Sequence, residues 1–178
     1  FIQGELDPAF KNFSTWEYRM VVNCDAPDQM AERGREMLRT YRPDHIYNPD
    51  YGWRYSATVR TEVPYGSQNV QYDIPSLHQH QNIIRNGGIC GRRAFFGRFI
   101  LRAFGVPSLA RPQPGHATLV HWTPNGWVIC LGASWGNGKV NGAPDTDFLT
   151  LTQARMTGEA YLQVLRAQWI GVALADKG

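Results

Sequence analysis

Cys90 stands behind two glycines and ahead of a third, in Gly87-Gly88-Ile89-Cys90-Gly91-Arg92-Arg93-Ala94-Phe95-Phe96. The glycines stop whatever precedes them. The apolar run that follows, through Phe99, Ile100, Leu101 and Phe104, falls at helical spacing. The pattern predicts Cys90 at the N-terminus of a buried helix. Such an end carries unpaired N–H groups and partial positive charge, which favour a thiolate, the nucleophilic form of cysteine. A thiol nucleophile needs a base. His116 opens a strand-like run in Gly115-His116-Ala117-Thr118-Leu119-Val120-His121-Trp122, and histidine is the usual partner. The competing reading of Cys90 is a small buried hydrophobe. The flanking glycines, which leave the backbone open to a substrate, favour the nucleophile.

Other residues invite weaker readings. His78 and His80 have the spacing of a zinc pair on a strand. They fall in a helical segment, where i and i+2 diverge, so no metal is expected. Arg92 and Arg93 lie in the first turn after Cys90. There they serve to hold it anionic, to contact an acidic substrate, or simply as surface charge. Arg98 and Arg102 would repel unless paired. Trp122, Trp127, Trp135 and Trp169 crowd the second half. Core packing is their usual role, and Trp135 is the candidate for substrate contact. His121 lies on the strand face opposite His116 and reads as structural.

The elements that must position these residues follow from pattern. Residues 16–22 alternate as a strand. A helix starts at Asp25 as cap, with Pro27 in its first turn, and stops at Pro43. Residues 43–54 read as loop and 55–63 as a half-buried strand. A short helix opens at Pro75 and closes at Gly87-Gly88. The Cys90 helix is apolar nearly all round, hence central, and ends at Gly105-Val106-Pro107. An extended piece runs to Arg111, and Pro112 to Gly115 form a turn. Residues 116–122 and 127–131 form a hairpin on Thr123-Pro124-Asn125-Gly126. Residues 132–147 read as loop, and 152–173 as one helix with Tyr161, Leu165, Trp169 and Val172 on a stripe. Helices followed by antiparallel strands predict an α+β fold.

The chain has 178 residues, 43% hydrophobic and 19% charged, which fits one globular domain over residues 1–178. Eighteen basic residues against 15 acidic give +3, too small a surplus to argue for nucleic acid or an anionic membrane. No apolar run reaches the length of a membrane span. Cys24, Cys90 and Cys130 are an odd number without C-x-x-C spacing, against a disulfide framework. The chain opens on Phe1 and is expected to be excised from a longer one, with flanking domains. Its compartment is left open.

Arg85-Asn86-Gly87-Gly88-Ile89-Cys90-Gly91, the helix after it, then Leu101-Arg102-Ala103-Phe104-Gly105-Val106-Pro107 and Gly115-His116-Ala117 together resemble the transglutaminase-like core. The resemblance covers roughly residues 75–131. It implies a papain-like architecture, with a central cysteine-bearing helix packed on an antiparallel sheet and histidine opening one strand. It also implies thiol-dependent acyl transfer on a peptide or protein amide, without cofactor or metal. Cys90 would be the nucleophile and His116 the base. The family places a third residue, usually Asp, on the strand after the histidine. Here Trp127 to Trp135 holds no acid and no amide. Either Asn137 substitutes, or the site is a dyad, or the domain no longer catalyses and binds peptide or glycan in the old cleft. The substrate-contact expectations are Arg92 and Trp135.

Overall fold

Ser14 and Glu17 decide the first helix of the chain. A computed structural model describes residues 4–24, 26–41, 63–130 and 134–175. In it, residues 16–22 are not a strand but part of helix α1, Thr15–Val22. The Ser14 hydroxyl accepts from Trp16 N at 3.2 Å, and Glu17 accepts from Ser14 N at 2.9 Å. This capping box satisfies two orphan donors and outweighs a short alternation, which cannot by itself distinguish the two periods.

Helix α2, Asp28–Tyr41, follows. Its expected cap Asp25 and stop Pro43 lie outside the described residues. So do the loop read at 43–54 and all of the strand read at 55–63 except Val63, which is not in a strand. Helix α3, Gln79–Asn86, begins after Pro75 rather than at it. The Asn82 side chain holds the intervening turn, accepting from Ile74 N at 2.9 Å and donating to Ile74 O at 3.0 Å. Helix α4 spans Cys90–Ala103.

An antiparallel sheet in the order β1-β2-β3 follows: β1 Ser108–Gln113, β2 His116–Thr123 and β3 Gly126–Ile129. β1 runs two residues past the expected end, because Gln113 still pairs with His116 across Pro114-Gly115. Among the described residues β1 pairs with β2 on one side only, an edge position where Pro112 is tolerated. The second hairpin closes at Thr123 and Gly126, as its turn residues predict.

The sheet is the middle layer. Leu119 and Cys130 pack against Ala94, Leu101 and Val106, so the odd-numbered face of β2 meets α4. Val120 and Trp127 pack with Met20, Val140 and Phe148 on the even-numbered face. On its outer side α4 buries Phe96, Phe99, Ile100 and Phe104 with Ile83 of α3. It is thus central, as its all-round apolar pattern predicts.

The stretch read as loop at 132–147 contains a small hairpin, β4 Lys139–Val140 and β5 Ala143–Pro144. Two helices replace the single one read at 152–173: α5, Asp145–Met156, and α6, Glu159–Ala175. They break at Thr157-Gly158. The stripe on α6 is not a core stripe. The helix buries none of its residues, and Trp169 is 80% exposed. The fold is mixed α+β with small antiparallel sheets.

Candidate active site

Cys90 is the first residue of α4 and half-buried. Ile89 precedes it without a side-chain cap, so the first N–H groups of α4 are not claimed by the N-cap. One of them is claimed from a distance: Cys90 N donates to the Tyr65 hydroxyl at 2.9 Å. Tyr65 is 61% exposed, and the Arg93 guanidinium lies 5.4 Å from its ring centroid. Tyr65 carries no motif of its own, and its place beside Cys90 comes only from the fold. A side chain at Gly91 would meet nothing within 4 Å, so this flank of the cysteine is open.

The double glycine serves the arginines. Gly88 has φ +139, and a Cβ there would lie 2.5 Å from the Arg92 Cδ. The two arginines fold back over that space. Arg92 donates to Gly87 O at 3.0 Å and grips Asp73 with both terminal nitrogens, at 2.5 and 3.0 Å. Arg93 donates to Gly88 O at 2.8 Å. Arg92 therefore holds the entry to α4 in place. Its hydrogen bonds keep the Asp73 carboxyl below the usual range, against the opposing effect of burial, and Asn86 adds a further hydrogen bond. Arg102 is buried and donates to Ser108 O at 3.0 and 2.6 Å and to Asn23 O.

His116 begins β2 and is half-buried. Length brings it back toward Cys90. The 14 residues of α4 rise about 21 Å. The six of β1 return about 20 Å along the sheet. The two lengths are matched, which is compatible with His116 lying toward the Cys90 end of the layer. It belongs, however, to the even-numbered face of β2, and α4 packs on the other. Its ring makes no hydrogen bond to a described residue. His121 is buried, with Nδ1 3.1 Å from Trp122 O, in the structural role its face predicts.

The groups expected behind His116 are elsewhere. Asn137 is exposed in the turn before β4 and makes no hydrogen bond to the imidazole. Trp135 packs against the Val120 and Trp127 cluster rather than standing free at the cysteine. The amide beside His116 is Gln113, its cross-strand partner on β1. Gln113 Oε1 accepts from Arg111 Nη1. Arg111 is fully buried and pairs with Asp145, its Nη2 at 2.5 Å and its Nε at 2.7 Å from Oδ2. Arg111 Nη2 also donates to Ser134 O at 2.7 Å, and Asp145 Oδ1 accepts from Gly136 N at 2.9 Å. A Cβ on Gly138 would lie 2.6 Å from the guanidinium carbon, so a side chain there would displace the buried Arg111 head. A clamp therefore joins β1, the 134–138 turn and the start of α5 on the His116 face. The sequence hid it because its two charges are 34 residues apart.

No family model matches the chain, and neither a curated protein nor a solved structure does. No described helix is long and apolar enough to cross a membrane. Among the described residues no three His, Cys, Asp or Glu side chains are grouped to hold a metal ion.

The His78 and His80 rings stack with centroids 5.9 Å apart. His80 is buried against the Phe99 ring at 4.7 Å. Burial pushes its pKa from 6.5 down to about 4, and the charges of His78 and Arg33 act the same way. The unfolded chain therefore binds a proton that the folded chain refuses between these two values. Stability is expected to fall as pH drops from about 6.5 to about 4. Urea midpoints across that window test this. A His80→Gln chain should lose less on acidification than the parent; an equal loss would assign the effect to other groups.

Proposed function

We propose that the chain is a transglutaminase-like domain that performs thiol-dependent acyl transfer on amide or peptide bonds. One observation carries the reading: Cys90 is the first residue of a central helix packed on an antiparallel sheet, and its backbone N–H already binds an oxygen. Cys90 Sγ attacks the amide carbonyl. His116 takes the thiol proton and passes it to the leaving amine. The oxyanion accepts from the Cys90 N–H once the Tyr65 hydroxyl yields it. Water or a second amine then resolves the thioester, giving a hydrolase or a transferase.

Gln113 is the orienting group in this reading, held by Arg111, and takes the place that sequence assigned to Asn137. The imidazole must reach round the first residue of β2 to meet the sulfur. His116→Ala tests that step. The pH at which Cys90 reacts with iodoacetamide should rise, with the modified residue located by mass spectrometry. An unchanged profile would separate His116 from Cys90. It would leave the second reading, a binding module in the old cleft, which the placement of His116 on the sheet face away from α4 favours.

A further inference from the structure

We propose that the groove between the start of α1, the β2–β3 turn and the α5–α6 junction binds a peptide carboxylate at Arg155. The groove encloses about 560 Å³, within the usual ~300–1,000 Å³ of ligand sites. Phe13, Trp122 and Tyr161 supply aromatic walls, with Asn12 and Ser14 as polar points. Arg155 lies in the last turn of α5, its guanidinium 4.8 Å from the Trp16 ring centroid and 5.6 Å from that of Tyr161. Its Nε is sealed from solvent and has no hydrogen-bond partner.

No acid pairs with Arg155 among the described residues. The described ion pairs occupy Arg35, Arg39, Arg92, Arg111 and Arg166 instead. Glu17 is the one carboxylate on the groove wall, and its Oε2 is engaged by the Ser14 N–H and hydroxyl. The α5 dipole favours a base at this position. It does not account for a cation set against two rings with no ion pair among the described residues. A guanidinium stacked on aromatic faces directs its N–H groups outward in its own plane, the geometry that takes a carboxylate in two parallel hydrogen bonds.

The second half of the ligand is read from α6. Leu162 lines the groove and also opens the exposed strip of Leu165, Trp169 and Val172. An apolar track thus leads away from the cation. The occupant that matches both is an extended peptide with apolar side chains on the track and a carboxylate at Arg155. Trp122 lies six residues beyond His116 on β2, about 20 Å further along the strand. The site is therefore separate from Cys90 and does not rest on its chemistry.

Fluorescence anisotropy on the full chain tests the proposal with three fluorescein-labelled hexapeptides of apolar sequence. One has a free C-terminus, one is amidated, and one is amidated after a terminal Glu. One or both acids should bind about 10-fold more tightly than the plain amide, the size of one charge-assisted pair. Which acid prevails tells a chain terminus from an acidic side chain. Arg155→Met should abolish the advantage and Arg155→Lys should keep part of it. Equal affinity of acid and amide, an advantage that survives in Arg155→Met, or no binding at about 1 mM would each overturn the site. The acid–amide comparison on the unaltered chain decides the matter even if a variant fails to fold.

Discussion

Asp145→Ala is expected to destabilise the chain by about 3–5 kcal/mol, a large fraction of the whole stability of a domain this size. Both side chains of the Arg111–Asp145 pair are out of water, at 0% and 1% exposure. Removing the carboxylate leaves a buried guanidinium with no counter-charge. It also deprives Gly136 N of its acceptor. The pair need not be strongly stabilising for this to hold. Desolvation offsets most of the attraction, so the cost arises from breaking one side and not from the worth of the contact. An Arg111→Met, Asp145→Leu double variant should therefore recover much of the loss. Urea unfolding of both single variants and the double completes the cycle. A single variant within about 1 kcal/mol of the parent would mean that water enters the clamp.

Cys90→Ala carries the second large effect. If Cys90 is the nucleophile, amide turnover should fall below detection, since removing a catalytic nucleophile typically costs on the order of 10⁶ in kcat. Iodoacetamide labelling near neutral pH should disappear with it. The fold should persist, because the side chain is only half-buried and lies outside the three core clusters. Cys130 is buried beside Leu119, and Cys24 packs partly against the Phe99 cluster. Unchanged labelling after the substitution, carried by Cys24 or Cys130 instead, would remove Cys90 from the mechanism. Labelling lost without loss of turnover would leave it reactive but not catalytic.

The parts legible in sequence are those set by local chemistry. The start and end of α4, the hairpin on Pro124-Asn125 and the placement of His116 at a strand start all follow from turn residues and periodicity. The strand read at 16–22 failed because Ser14 and Glu17 form a reciprocal cap that alternation does not register. The single helix read at 152–173 failed because the chain breaks at Thr157-Gly158, where Gly158 takes φ +59, and its apolar stripe belongs to a helix that buries nothing. The site was half legible. Cys90 and His116 announce themselves by type and flanks. Tyr65 and Gln113 do not: a phenol 25 residues upstream meets Cys90, and an amide on the preceding strand meets His116, only through tertiary pairing. Arg92 illustrates the reverse, a residue whose position near Cys90 suggests chemistry while its bonds to Asp73 and Gly87 fix a turn.

The clamp also sets an order on synthesis. Arg111 leaves the ribosome well before Asp145, since 34 residues separate them. Until the second charge emerges, the first must stay hydrated, and the β1–β2 hairpin cannot close its even-numbered face. A chain ending near residue 140 would lack Asp145 and leave Arg111 without its counter-charge on the His116 face. The candidate site would then be completed among the last parts of the domain, when α5 arrives.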